Sequence, residues 1–205
     1  LGRASKAAEC FERMLTIEPD YAEGHSNLGN TLMVLGQTNA AVKSYMKALA
    51  IEPDYAEAHN NLGITLNELG RFEDAEASYK KALSIAPHFA EAHSNLGDLL
   101  TDRKRFDEAL VSYESAFNLR PDIIFILGKL LHKKMHLCLW DDLSSMLDEL
   151  QDKINNNEKV IDPFPMLGLI DDPELQRKAT EIFVNKNLPK SHDLPRIALY
   201  PKHKK

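Results

Sequence analysis

The chain has 205 residues, of which 43% are apolar and 27% are charged, and its formal net charge is -6. The only basic cluster is the tail at 202–205, so the sequence does not predict the basic face that nucleic-acid binding requires. Cys10 and Cys138 lie too far apart to form a metal or redox motif, and no apolar run approaches the ~18 residues that span a bilayer. We therefore expect a cytoplasmic protein without nucleic-acid or membrane partners.

A period of 34 residues organises the first 123 residues. Three similar segments, AEGHSNLGNTL, AEAHNNLGITL and AEAHSNLGDLL, begin at residues 22, 56 and 90. A proline recurs with the same period, at Pro19, Pro53, Pro87 and Pro121. The period predicts a half repeat over 1–21, in which the chain starts inside a repeat, and full repeats over 22–55, 56–89 and 90–123.

Each repeat has the pattern of two closely packed helices. The first helix carries one stripe formed by His25, Leu28, Gly29 and Leu32. A glycine inside a helix costs about 1 kcal/mol relative to alanine, so its recurrence indicates close approach of another helix. The second helix supplies two alanines and a tyrosine, at Ala41, Tyr45 and Ala48, at Ala75, Tyr79 and Ala82, and at Ala109, Tyr113 and Ala116. We expect the small residues to let backbones approach and the tyrosine to fill the space between hairpins.

The turn inside each hairpin is marked by glycine only twice. Gly36 and Gly70 occupy this position in the first two full repeats, whereas the third has Lys104. We therefore expect the third turn to be built differently. The recurring proline closes each second helix.

This spacing of leucine, glycine, alanine, aromatic, alanine and proline resembles the tetratricopeptide repeat. The resemblance implies an all-α fold: a right-handed α-solenoid of antiparallel helix pairs whose first helices line a concave face. One hairpin cannot bury its apolar stripe alone, so the units are expected to stack.

One asparagine per repeat is the leading candidate for a binding site. Asn27, Asn61 and Asn95 share a register beside the buried leucine and are expected to point into the concave groove, with Asn30 and Asp98 one turn further along. An amide carries both donors and an acceptor, so a row of amides can bind the backbone of an extended peptide. The alternative is that each asparagine bonds only to the neighbouring helix.

The remaining groove positions are polar to acidic. A glutamate recurs at Glu23, Glu57 and Glu91, and no lysine or arginine stands at the positions that capture chaperone C-termini in other tetratricopeptide modules. The groove should therefore disfavour strongly acidic partners.

The spacing of the histidines predicts a packing role and not metal binding. His25, His59 and His93 are separated by whole repeats, too far for one ion. His132 and His136 could share a helix face, but no further ligand follows nearby apart from a single cysteine. We expect no metal and no cofactor.

The repeat pattern degrades after Pro121. Residues 124–156 are expected to form a degenerate capping pair, whose second helix carries Leu143, Met146, Leu147, Leu150 and Ile154. Residues 157–205 are expected to form a proline-rich linker that is irregular around NNNEKVIDPFPMLGLI. One helix is predicted near 173–185, with Asp172 as N-cap.

The non-repeating third carries a second resemblance. LCLWDDLSSMLDEL, PFPMLGLIDDPELQRKATEIF and HDLPRIALYPKHKK resemble the segment that joins the repeats to the catalytic region in SPINDLY-type O-linked N-acetylglucosamine transferases, especially bacterial ones. The resemblance implies a parent enzyme that transfers a sugar to Ser or Thr, and the sugar it implies is N-acetylglucosamine from UDP-GlcNAc. It also implies that the asparagine row holds extended segments of acceptor proteins and that the parent's own catalytic domain follows Lys205.

No catalytic residue can be assigned within these 205 residues. They contain no glycine-rich phosphate loop, nucleophile motif or ligand cluster. The alternative function is a free-standing adaptor or scaffold. Homodimerisation through the repeats is a further possibility.

Overall fold

The structure is a computed structural model, and it describes residues 2–187. These residues form eleven helices and contain no strand. The helices are α1 (Gly2–Ile17), α2 (Ala22–Val34), α3 (Thr38–Ile51), α4 (Ala56–Glu68), α5 (Phe72–Ile85), α6 (Ala90–Asp102), α7 (Phe106–Leu119), α8 (Ile126–His136), α9 (Leu143–Asn155), α10 (Pro163–Leu169) and α11 (Pro173–Asn187). Within the described range, no helix combines the length and the apolar character needed to cross a bilayer.

The three full repeats form the predicted hairpins. Helix α2 pairs with α3, α4 with α5, and α6 with α7, while each second helix also packs on the first helix of the next repeat. Helix α1 packs on α2 as the second helix of the half repeat. The result is the all-α solenoid expected from the 34-residue period.

Each hairpin is held together by a tyrosine that lies on a glycine. A Cβ added to Gly29, Gly63 or Gly97 would lie 2.6–2.7 Å from the nearest ring atom of Tyr45, Tyr79 or Tyr113. These tyrosines are at most 3% exposed, and the flanking alanines are fully buried. The close approach predicted from the glycine register is therefore confirmed. The tyrosine ring makes it within each hairpin and not, as expected, between hairpins.

The expectation for the turn at Lys104 was wrong. Gly36 and Gly70 take the left-handed conformation, with φ of 72° and 73°, and Lys104 takes it as well, with φ of 60°. The same two hydrogen bonds close this turn: the N–H of Lys104 donates to the carbonyl of Thr101, and the N–H of Arg105 donates to that of Leu100. The hairpin geometry imposes the turn, and lysine accepts a backbone conformation that costs roughly 1–2 kcal/mol.

The fourth helix pair, α8 and α9, departs from the hairpin geometry for a steric reason. Leu131 stands at the glycine register and Leu147 at the tyrosine register. A leucine side chain prevents the close approach that glycine allows, and α9 packs on α8 less extensively than in the full repeats. The wider gap is filled by a second apolar core, which includes Leu150, Ile154, Val160, Ile161, Met166, Ile170, Ala179 and Ile182.

Residues 159–161, which lead into α10 and α11, pack against the start of α8. The N–H groups of Phe125 and Gly128 donate to the carbonyls of Lys159 and Val160, at 3.3 and 3.0 Å. A Cβ on Gly128 would lie 2.7 Å from Ile161 Cγ1 and 2.8 Å from the Val160 carbonyl oxygen. Because only glycine fits here, this position is as constrained as the glycines inside the hairpins.

The predicted irregular connector contains a further helix. Helix α10 covers residues 163–169, and Pro163 begins it with Asp162 before it. Proline pre-sets the first helical turn, a signal that the sequence prediction did not use here. Met166, on this helix, is fully buried in the second core.

Helix α11 begins as predicted. Oδ1 of Asp172 accepts hydrogen bonds from the N–H groups of Glu174 and Leu175, at 2.9 and 3.1 Å, so Asp172 is the N-cap. Residues 188–205, which include the predicted lead-in to a catalytic domain, lie outside the described range.

Candidate functional site: the inner face of the first helices

The candidate site is the exposed side of α2, α4 and α6, which we call the inner face. These first helices contact one another in sequence order, α2 with α4 and α4 with α6. In a solenoid of this type the row of first helices forms the concave side. The 34-residue period places the same register of each helix one repeat apart along this face.

The asparagine register links successive first helices. Nδ2 of Asn61 donates to Oδ1 of Asn30 at 3.0 Å, and Nδ2 of Asn95 donates to Oδ1 of Asn60 at 2.9 Å. Each amide therefore reaches back to the preceding repeat, as the alternative interpretation of the sequence anticipated. The side chain of Asn27 makes no hydrogen bond to any residue that the structure describes.

The amides keep hydrogen-bonding capacity for a ligand. An asparagine has two N–H donors and a carbonyl acceptor. Asn61 uses one donor on Asn30 and accepts a 3.3 Å bond from Asn60, which leaves its second N–H. Asn95 keeps one N–H and its carbonyl, and Asn27 keeps all its capacity. The inner face therefore offers a half-buried amide in each of three consecutive repeats.

Asn30 and Asp98 are engaged within the protein. Both accept a hydrogen bond from the buried tyrosine of their own hairpin: Tyr45 on Asn30 at 2.7 Å and Tyr113 on Asp98 at 2.8 Å. Each also accepts from the next first helix, Asn30 from Asn61 and Asp98 from Lys129. These two predicted ligand positions thus hold the stack together.

Lys129 continues the asparagine register in α8. Its Nζ lies 2.6 Å from Oδ2 of Asp98, and 5.9 Å from the centre of the Tyr113 ring. Lysine interrupts the amide row at this position. In the structure it makes the same link to the preceding helix, with an ion pair in place of an amide pair.

The carboxylates of the inner face differ in how they are paired. Glu91 forms an ion pair with Arg120. Glu57, Glu68 and Asp102 form none with the described part of the chain, and Glu68 and Asp102 are exposed. The unpaired carboxylates leave this face with a negative potential.

Sequence reasoning missed one register of the inner face. Val34, Glu68 and Asp102 end their first helices and are 34 residues apart, so the period alone identifies them as equivalent. The side chain of Val34 is 68% exposed. Met33, the residue before Val34, lines a cavity of about 160 Å³ between α2 and α4, together with Asn30, Tyr45, Asn61, Ile64 and Thr65.

Burial and the negative charges near the inner face raise the pKa values of the buried tyrosines. Burial raises the pKa of Tyr45 to about 12, and the negative charge of Glu68 adds to this effect. Burial also raises the pKa of Tyr79, with contributions from Asp98 and Glu68. The same two causes, burial first and Asp98 second, raise the pKa of Tyr113.

The recurring histidines have a structural role, as predicted. Nε2 of His25, His59 and His93 donates to the carbonyl of the proline six residues earlier, at 2.9, 2.9 and 3.0 Å. Each histidine therefore ties the start of a first helix to the preceding loop. His136 packs edge-on against Phe106, with 4.2 Å between ring centres.

The fold and the inner face define a class: an α-solenoid of helical hairpins with a polar, partly acidic face along its first helices. Two tetratricopeptide repeat profiles match the sequence, one over residues 20–88 and the other over residues 66–122. Together they span half of the chain, which therefore belongs to the tetratricopeptide repeat family. No curated protein sequence matches it.

Several solved structures are similar to the chain. PilF of Pseudomonas aeruginosa superposes with a TM-score of 0.72 at 20% identity and covers 93% of this chain and 86% of its own. The first repeat domain of Spaghetti (RPAP3), bound to the HSP90 peptide SRMEEVD, gives 0.55 at 21% identity over 57% of this chain and 93% of its own. YrrB, described as a repeat protein with an unusual peptide-binding site, gives 0.59 at 17% identity over 88% and 84%. At these identities the likeness shows the fold alone.

Proposed function

We propose that the inner face binds an extended segment of another protein, and that this binding is the acceptor-recognition step of a protein O-glycosyltransferase. The observation that supports binding is the asparagine register. Three amides at one register retain free N–H groups after the inter-helix bonds are made. An extended chain has no internal hydrogen bonds and presents carbonyls at a regular spacing along one side, so a row of N–H donors suits it.

The chemistry of the inner face argues against one class of partner. The HSP90 peptide bound to RPAP3 has the sequence SRMEEVD and is acidic. In this chain Glu57, Glu68 and Asp102 form no ion pair with the described residues, and Lys129, the one lysine of the asparagine register, forms an ion pair with Asp98. An acidic C-terminal peptide would meet like charges, which lowers its affinity.

Single and multiple asparagine variants test peptide binding. Asn27→Ala is the cleanest of them, because this side chain makes no bond within the described residues, and its loss leaves the stack intact. We expect Asn27→Ala to weaken binding of extended acceptor peptides, and the combined change at Asn27, Asn61 and Asn95 to weaken it further. Binding would be measured by fluorescence anisotropy, with circular dichroism as the fold control.

A matched control uses asparagines away from the inner face. Asn39 lies on α3 and Asn118 on α7, and both are exposed. Their change to alanine should leave peptide affinity unaltered. Equal losses in both sets of variants, or no loss in either, would contradict a ligand role for the asparagine register.

The glycosyltransferase assignment rests on the resemblance of residues 137–205 and has its own test. The parent chain should transfer N-acetylglucosamine from UDP-GlcNAc to Ser or Thr of a bound acceptor, detected by mass spectrometry. Coding sequence that ends after Lys205 would remove this assignment and leave peptide binding untouched.

A free-standing adaptor is the second candidate function. The observation that favours it is the second apolar core formed by α8–α11, which covers the end of the repeat stack. A terminal unit of this kind covers the apolar end of a solenoid. Peptide binding by residues 1–205 alone, without any transferase activity of the parent chain, would support the adaptor.

A further inference from the structure

The register formed by Val34, Glu68 and Asp102 carries information about which segment the inner face accepts. It presents one side chain per repeat at the end of each first helix, and the order is apolar, acidic, acidic. Glu68 and Asp102 are exposed and form no ion pair with the described residues. In contrast, Glu91 and Asp98 on the same face are neutralised by Arg120 and Lys129.

We propose that the inner face selects an extended segment with one apolar and two basic side chains spaced about three residues apart. The proposal rests on the proposed function, because it concerns the same face. Packed helices lie about 8–10 Å apart, and an extended chain in the polyproline II conformation advances about 3.1 Å per residue with three residues per turn. Every third side chain therefore faces the same side and meets the next repeat. The segment has the form apolar-x-x-basic-x-x-basic, in one of the two chain directions.

The apolar position has a defined place on the surface. Val34 is 68% exposed, and the 160 Å³ cavity beside α2 and α4 is walled by Met33 and Ile64. The ring of Tyr45, the hydroxyl-bearing Thr65 and the amides of Asn30 and Asn61 complete its lining. A cavity of this size suits one aliphatic side chain of the bound segment.

The two basic positions are not equivalent. The negative charge of Asp102 attracts the ammonium of Lys133, although Asp102 and Lys133 form no ion pair. The Nζ of Lys133 lies 4.5 Å from the centre of the Phe106 ring. Glu68 forms no ion pair with the described residues. Its negative charge contributes to the raised pKa values of the buried Tyr45 and Tyr79. Glu68 is therefore the stronger anchor, and Asp102 is partly offset by Lys133.

A set of short fluorescein-labelled peptides tests the proposal on residues 1–205. One peptide carries Leu-x-x-Lys-x-x-Lys on a neutral Ser/Ala/Gly background, and a second has the reverse order. A third places the two lysines side by side, and the last two replace both lysines by glutamine or by glutamate. Affinities are measured by anisotropy at low and at high ionic strength.

We expect one of the two spaced-lysine peptides to bind about tenfold more tightly than the glutamine peptide at low ionic strength. The adjacent-lysine peptide should bind less tightly than the spaced one, and the glutamate peptide least. Salt should reduce the advantage, because exposed charges more than about 8–10 Å apart are screened.

Protein variants locate the selectivity. Glu68→Gln should remove more of the lysine preference than Asp102→Asn, and the double variant should bind the lysine and glutamine peptides alike. The matched control is Glu52→Gln with Asp107→Asn, two exposed carboxylates that lie outside the inner face and form no ion pair within the described chain. This control should keep the full preference.

The outcomes separate the two proposals. If all peptides, including the glutamate peptide, bind equally, or if the double variant keeps the lysine preference, the charge selectivity is wrong while peptide binding stands. If no peptide binds in either direction, the proposed function itself fails, and the selectivity falls with it.

Discussion

Lys129 and Asp98 form an ion pair at the register where Asn61 and Asn30 form an amide pair two repeats earlier. The distances are similar, 2.6 Å between Nζ and Oδ2 and 3.0 Å between Nδ2 and Oδ1. Both pairs join successive first helices, and in both the acceptor also receives the hydroxyl of a buried tyrosine. The polar groups of the inner face therefore hold the stack together as well as facing a ligand.

The contact between Gly63 and Tyr79 should tolerate no added methyl group. A Cβ in Gly63→Ala would lie 2.7 Å from Tyr79 Cε1, and the ring is buried and cannot move aside freely. We expect a loss of about 1–3 kcal/mol in the free energy of unfolding, measured by urea titration. Gly168→Ala is the matched control, because nothing lies within 4 Å of the added Cβ in α10. A loss of the same size in both variants would contradict the packing explanation.

Lys104→Gly should stabilise the third hairpin. Glycine adopts the left-handed conformation of this turn without the Cβ clash, and part of that gain is offset by the greater entropy of the unfolded chain. We expect a net gain of about 0.5–1 kcal/mol. Gly70→Lys, the reverse change at the equivalent turn, should destabilise by a similar amount. Both are read from urea unfolding midpoints, and a neutral result in both would show that the turn stores no strain.

Gly128→Ala should destabilise the packing of α10 and α11 selectively. The added Cβ would meet Ile161 and the carbonyl of Val160, which itself accepts the N–H of residue 128. Overpacking at this point costs about 1–3 kcal/mol. Amide hydrogen exchange should accelerate in α10 and α11 while α2–α5 remain protected. Uniform acceleration along the chain would mean that the second core does not open separately from the repeats.

Alkaline pH should unfold the repeats cooperatively. The folded-state pKa of Tyr45 is about 12 and those of Tyr79 and Tyr113 are also raised, whereas an unfolded tyrosine titrates near 10. These tyrosines therefore make their full contribution to the free energy of unfolding below about pH 10. The contribution falls as the pH rises above about 10, because the unfolded chain loses these protons first. Absorbance at 295 nm should show three tyrosines that ionise only together with the loss of helical circular dichroism.

Tyr79→Phe provides the control for this transition. The hydroxyl of Tyr79 makes no hydrogen bond within the described residues, so the variant should be as stable as the parent at neutral pH. It should withstand higher pH, because one ionisable group is removed from the core. An unchanged alkaline midpoint would show that the buried tyrosines do not drive the transition.

The asparagine register illustrates the limit of reasoning from the period. The period correctly predicted that Asn61 and Asn95 are equivalent, but it could not show that their partners differ. Asn61 bonds to Asn30, whereas Asn95 bonds to Asn60, since Ile64 stands where the second acceptor would be. That choice depends on the side chain that the neighbouring helix brings within reach.

The sequence by itself determined the two helices in each repeat and the glycine register at which they approach closely. It could do so because these contacts are local and recur every 34 residues. Only the tertiary structure decided the left-handed turn at Lys104, the helix at 163–169 and the docking of residues 159–161 on Gly128. The helix at 163–169 and the docking on Gly128 depend on non-repeating contacts, which no periodic signal in the sequence records. Lys104 does follow Gly36 and Gly70 at the 34-residue spacing, but only the packed hairpin imposes their left-handed turn on a lysine.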